Sequence, residues 1–303
     1  MYTQQNLKDL RTEKEFFIGI DSDGCVFDSM EPKHKECFCP AYINNFNLQS
    51  VSKYAREVWD FVNLYSQDRG CNRFHAVIKA LDFLRARDEV KKRGARIMET
   101  PALKDWTLRE SKLGNPALKE EIDKISRTDP GKASELKIAY QWSLDVNEAV
   151  EKIIRGVPPF PYFRESLEAM RQKADVIVVS QTPSEALIRE WAELGIDKQT
   201  RFIAGQEIGT KAEHLEFAAK GKYPADKILM IGDAPGDLKA AVSAGALFYP
   251  VIPGGEDESW KRFHDEALAR FFSLNYKGEY QDTLLAEFKK SLPEQAPWRK
   301  PVK

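Results

Sequence analysis

Four carboxylates stand where apolar runs end. Asp21 and Asp23 follow FFIGI (16–20), in a stretch, FFIGIDSDGCVFDSM, that also carries Asp28. Asp233 follows ILMIG (228–232), and Asp237 opens the helical pattern behind it. Two carboxylates this close repel, and one must keep its proton unless a cation sits between them. A hard, oxygen-seeking ion such as Mg2+ meets that need, because it keeps several waters and also takes substrate phosphate. Each pair has an ordinary reading too. Asp-Ser-Asp-Gly is turn chemistry, and Asp233 with Asp237 suits a cap and an acidic first helical turn. Ser180 ends a third run, VIVVS (176–180), where a hydroxyl meets the start of a helix. Free backbone N–H groups make such a position an anion site, or the hydroxyl is a plain cap. Lys211, in EIGTKAEH, opens another helix and by itself is one lysine among many. Together, acid pair, hydroxyl, lysine and acid pair at successive strand-to-helix junctions describe a site for a cation and a phosphate.

The elements that must position these groups can be read from the pattern. Five short apolar runs read as buried strands: 16–20, 176–180, 201–205, 228–232 and 247–252. Continuous apolar runs without alternation suit a parallel sheet covered on both faces. Helical patterns such as SEALIREWAELG (184–195) and GDLKAAVSAG (236–245) lie between the later runs. The fold class expected is therefore α/β, a doubly wound parallel sheet, with ligands at the carboxyl ends of its strands. Between about 29 and 157 no strand is recognisable, whereas 57–66, 74–90 and 134–156 read as helices. An all-helical module inserted after the first strand follows, giving residues 1–28 and 158–303 as the α/β core and 29–157 as the insertion. Two helical stretches, 258–272 and 280–292, are expected to pack on the core. The tail EQAPWRKPVK is expected to fray or to dock loosely.

Composition narrows the function. The chain has 303 residues, 42% hydrophobic and 31% charged, with 46 basic and 47 acidic side chains and a net charge of −1. A near-neutral balance favours neither nucleic acid nor an anionic membrane as partner. No apolar run reaches the length of a membrane span, and the N-terminal stretch lacks the apolar centre of a signal peptide. Cys25, Cys37, Cys39 and Cys71 do not make a disulfide framework in a chain this long, and Cys37-x-Cys39 has no matching pair at zinc spacing. Reduced thiols and a cytoplasmic setting are expected.

The constellation resembles the haloacid dehalogenase superfamily of phosphotransferases over roughly residues 12–28 and 158–255. DSDGCVFD is similar to the family's first motif, with Asp21 in the nucleophile position and Asp23 in the acid/base position. Ser180 matches the second motif, Lys211 the basic residue of the third (with Lys222 and Lys227 as weaker alternatives), and Gly232-Asp233 through Asp237 the acidic pair of the fourth. The helical insertion resembles the family's helical cap and is longer than its usual four-helix version. The resemblance implies Mg2+ held by Asp21, Asp233 and the backbone carbonyl of Asp23, with Asp237 orienting the site. It also implies an Mg2+-dependent phosphohydrolase acting on a small phosphorylated metabolite through an aspartyl-phosphate. An acid two residues after Asp21 favours phosphate-ester chemistry over dehalogenation or phosphonate cleavage. Two alternatives stand beside this reading: a phosphomutase of the β-phosphoglucomutase type, and a non-catalytic binding or regulatory protein on the same fold.

Substrate choice is expected from the insertion. Arg69, Asn72, Arg73 and His75 cluster before a helix in YSQDRGCNRFHAVIKAL (65–81). Two arginines there could clamp a phosphate or carboxylate bidentately, or the segment is a polar helix start on a solvated face. Gly70 to Arg73 loosely resembles the Gly-x-x-Arg loop of β-phosphoglucomutase-like members.

Overall fold

A computed structural model describes residues 3–298 and divides into two compact units. The first comprises the chain up to Met30 together with Gly156–Pro293; the second comprises Glu31–Arg155 together with the described residues from Glu294 onward.

The first unit is a doubly wound α/β sheet. Its strands are β1 (Phe16–Ile20), β2 (Ala174–Val179), β3 (Phe202–Ala204), β4 (Ile228–Gly232) and β5 (Leu247–Pro250), and every residue in them is buried. All pairs are parallel, in the order β3-β2-β1-β4-β5. Successive side chains on a strand point to opposite faces, which explains why both faces need apolar residues. Ile18, Ile20, Val176, Val178, Leu229 and Ile231 pack on one face with Phe163, Trp191 and Trp260. Phe17, Ile177, Val179, Met230 and Phe248 pack on the other with Leu215, Ala240 and Ala241. The strand order reverses between β1 and β4. That is the switch point where diverging connections leave a crevice at the carboxyl ends.

The second unit is helical, and no described residue within it lies in a strand. Beyond the three expected helices it contains Pro101–Arg109, Asn115–Ile125 and a helix that runs Met30–Pro32, makes a π turn at Lys33–Phe38 and continues as Cys39–Asn45. Its core gathers Tyr42, Phe46, Trp59, Phe74, Trp106 and Trp142. The long helix Pro130–Ile153 starts where Asp129 accepts the Lys132 amide and Pro130 fixes the first turn. The tail is described as far as Trp298, with 299–303 outside the described residues, and that part takes the docked alternative. Ala296 is buried and Trp298 sets its ring edge-on to Phe61 at 5.4 Å and to Phe83 at 6.4 Å, so the segment is anchored by an aromatic group that no local periodicity announces.

Candidate active site

The sheet register explains how distant residues meet. Ile20 pairs with Val178 of β2 and with Ile231 of β4. One step beyond, Asp21 leaves β1 flanked by strands that end just before Ser180 and Asp233. The Asp21 amide still donates to the Ile231 carbonyl at 2.9 Å, which fixes the residue at the mouth of the switch point.

The loop after β1 folds tightly. The Ser22 carbonyl accepts the Val26 amide at 2.8 Å, and the Gly24 amide donates to the Phe27 carbonyl at 2.9 Å. Gly24 has φ +73°, a conformation that disfavours side chains and suits glycine. Trp191 donates its indole N–H to Ser22 Oγ at 3.0 Å, and Trp260 donates its own to the Cys25 carbonyl at 2.7 Å. Asp23 is held by two hydroxyls: Ser29 Oγ donates to Oδ1 at 2.5 Å and Thr182 Oγ1 donates to Oδ2 at 2.9 Å. Neither hydroxyl is evident from the sequence. Thr182 reaches Asp23 only because β1 and β2 are neighbours.

The loop after β4 is built around Asp237. Its Oδ2 accepts the amides of Asp233 at 3.2 Å and Ala234 at 3.0 Å, closing the turn into the helix Pro235–Ala244. A Cβ on Gly232 would lie 2.4 Å from Asp237 Cβ, so only glycine allows this approach. Lys211 opens the helix Lys211–Ala219, where Thr210 and Glu213 form a capping box. Gln181 Nε2 donates to the Gly209 carbonyl at 2.9 Å, tying the loop after β2 to the segment that carries Lys211.

Lys211 Nζ lies 2.8 Å from Asp21 Oδ2 and 2.5 Å from Asp237 Oδ1. Burial works against its charge, yet Asp21 and Asp237 overcome that and raise its pKa, so it stays an ammonium. Lys222 donates instead to the carbonyls of Lys8 and Leu10, and Lys227 pairs with Glu15. Burial pushes the Asp21 carboxyl well up; Lys211 opposes this, and the charges of Asp237 and Asp233 add to it.

Asp21, Asp233 and Asp237 are all buried, and each offers an oxygen within 4.8 Å of the others. Three carboxylates against one ammonium leave the group short of positive charge. An all-oxygen donor set of this charge fits a hard divalent cation. Asp237 already uses one oxygen on the turn and the other on Lys211, which suits it to orienting its neighbours. Cys37 and Cys39 are free and buried in the helical unit.

Ser180 is buried, and its Oγ accepts the Thr182 amide at 3.1 Å. The helix behind it, Ser184–Glu193, begins four residues on. Its first amide and the Ser184 hydroxyl both donate to Glu207 Oε2, at 3.0 and 2.7 Å. A carboxylate of the chain thus caps that helix start, a long-range contact that spacing does not reveal.

The substrate-binding candidates lie in the helical unit with internal partners. Arg69 is buried and donates to the Leu64 carbonyl at 3.0 Å. Asn72 accepts the Phe74 amide and donates to the Leu113 carbonyl, at 3.0 and 3.1 Å. Arg73 donates to Ser143 Oγ at 3.0 Å and Asn147 Oδ1 at 2.7 Å, and lies over the Phe38 ring; burial lowers its pKa to about 10. His75 is exposed.

The family model for haloacid dehalogenase-like hydrolases matches residues 18–245. The chain belongs to that family. It is similar to a predicted phosphoglycolate phosphatase from Haemophilus somnus 129pt, at 15% identity over 79% of this chain and 86% of that one, with a TM-score of 0.46. It is also similar to a haloacid dehalogenase-like family hydrolase from Xanthomonas campestris, at 10% identity over 88% and 97%, TM-score 0.45. A predicted phosphatase from Clostridium acetobutylicum is similar at 12% identity over 82% and 91%, TM-score 0.41. At this distance none of them bears on the choice of substrate. No curated protein matches the chain. Among the described residues no helix is long and apolar enough to cross a membrane.

Proposed function

We propose that the protein is an Mg2+-dependent phosphohydrolase that cleaves a small phosphorylated metabolite through an aspartyl-phosphate on Asp21. The observation that carries this reading is the buried group of Asp21, Asp233 and Asp237 around Lys211 at the switch point of the sheet.

A carboxylate oxygen of Asp21 attacks phosphorus, and the bond from phosphorus to the substrate oxygen breaks. Asp23 gives its proton to the departing alkoxide, then takes one from the water that attacks the acyl phosphate, releasing phosphate and restoring Asp21. Ser29 and Thr182 aim the Asp23 carboxyl for both transfers. Ser180 and Lys211 hold phosphoryl oxygens, and the ammonium offsets the charge that builds there. Asp21, Asp233 and the main-chain carbonyl of Asp23 would hold Mg2+, with Asp237 steadying the set. The ion supplies charge neutralisation between carboxylate and phosphate.

The test is release of inorganic phosphate from a panel of phosphorylated metabolites and an aryl phosphate, with Mg2+ or chelator, beside Asp21→Asn. The proposal expects metal-dependent release that Asp21→Asn abolishes. Folded, metal-loaded protein that releases no phosphate from any of them would contradict it, and isomerised sugar phosphate without release would identify a mutase.

A further inference from the structure

The helical unit has an open cavity of about 430 Å3 walled by Phe61, Tyr65, Pro297 and Trp298, with Glu57 and Asp60 as its charged lining. That size lies in the range of small-molecule sites, roughly 300–1,000 Å3. Its walls are fixed. Trp298 stands edge-on to Phe61, and the Arg87 guanidinium covers one of its faces at 4.6 Å. The Tyr65 hydroxyl is bound to Glu31.

The charges around the cavity are unevenly matched. Glu57 is paired with Arg87 at 2.5 Å, and Lys35 is paired with Glu31. Glu57 and Asp60 lie on one face of the helix Ser52–Asn63. Among the described residues the Asp60 carboxylate has no hydrogen bond or ion pair of its own, and it is half-buried. Burial raises its pKa ahead of the opposing pull of Lys35, Glu31 adds to the rise, and Arg56 lowers it again. The cavity thus combines aromatic walls with a carboxylate that has no direct ion pair, Lys35 and Arg56 being its nearby cations.

We propose that this cavity binds a small organic cation with an apolar body, an arylalkyl or alkyl ammonium, its charge against Asp60 and its body against Phe61, Tyr65 and Trp298. Aromatic faces attract ammonium groups, whereas an anion would meet two acids and a neutral apolar molecule would cover the Asp60 carboxylate without giving it a partner.

Phenethylammonium and 3-phenylpropionate carry the same ring on a short chain and differ in charge. Each would be titrated into the full chain while the indole N–H resonance of Trp298, assigned with Trp298→Phe, is followed by NMR. The expected result is saturable binding of the ammonium about tenfold tighter than of the carboxylate. Asp60→Asn, a near-isosteric change at a half-exposed position, should reduce that preference to about twofold or less. Trp298→Ala, which lacks the reporting indole and is therefore titrated by calorimetry beside the wild type, should weaken the ammonium at least about fivefold, giving a second reading if Asp60→Asn fails to fold. Equal binding of the two probes, binding that neither variant alters, or no saturation by the ammonium in folded protein would overturn the proposal.

Discussion

Asp175 and Asp21 are both buried aspartates of the α/β unit, one near the start of β2 and one just past the end of the neighbouring β1, at opposite ends of the sheet. At the start of β2, Asp175 accepts the amides of Glu13 and Lys14, each at 2.9 Å, and the Tyr223 hydroxyl at 2.6 Å, and it pairs with Arg201. Burial pushes its pKa up, but Tyr223, the two amides and Arg201 outweigh that and hold it low. At the end of β1, Asp21 is pushed the other way by burial and by two further carboxylates, with Lys211 as the opposing cation. A buried acid with four donors is a structural tie. Buried acids that crowd each other around one ammonium hold unspent electrostatic free energy, which a cation and a phosphate can draw on.

The largest expected effect separates the two ends. Asp21→Asn should lower phosphate release by roughly 10⁴-fold or more, as loss of a nucleophile does. Its melting temperature without metal should be unchanged or higher, because one of three repelling charges is gone. A melt several degrees lower would make Asp21 a structural tie like Asp175.

Asp23→Asn comes next, with a loss of about 10²–10⁴-fold in kcat. Thr182→Val, which removes one hydroxyl from the Asp23 carboxyl, should cost about tenfold or less in kcat with KM little changed. Steady-state kinetics of the two variants checks the ordering. A Thr182→Val loss as large as that of Asp23→Asn would contradict the assigned roles.

At the other end, Asp175→Asn should destabilise the protein by roughly 2–4 kcal/mol, by leaving buried donors unmatched, while kcat per folded molecule is retained. The sign of its pH dependence follows from its lowered pKa. The stabilisation is present above the unfolded value of about 3.9 and is lost as pH falls through the folded value. Acid melts of the wild type should therefore lose stability below about pH 4, and the variant should show a flatter profile there.

The smallest effect falls in the helical unit. Arg73→Lys removes the guanidinium whose Nη1 donates to both Ser143 and Asn147, and should cost about 1–2 kcal/mol of stability with kcat/KM unchanged. A rise in KM without a stability change would return Arg73 to the substrate.

The same contrast decides what could be read beforehand. β1 and β4 appear at 16–20 and 228–232, because strands buried on both faces must be continuously apolar. Their terminal acids are visible because they adjoin those runs. Asp175 adjoins a run too, at the start of 176–180, but its donors, Tyr223, Arg201 and the amides of Glu13 and Lys14, come from segments far apart in sequence. Thr182 on Asp23 and Glu207 on the Ser184 amide escaped for the same reason. The π turn at Lys33–Phe38 interrupts the 3.6-residue period, so the helix around it left no clean pattern. The arginines at 69 and 73 were legible as charges, but their carbonyl and hydroxyl acceptors were not.

The central claim is that Asp21 and Asp233, beside Lys211, would hold a divalent cation. Calorimetric titration of Mg2+ into the wild-type chain and into Asp233→Asn tests it most directly. One ion bound per wild-type chain, with affinity lowered at least about tenfold in Asp233→Asn, is the expected result. Absence of binding by folded wild type, or binding that Asp233→Asn leaves unaltered, would contradict it.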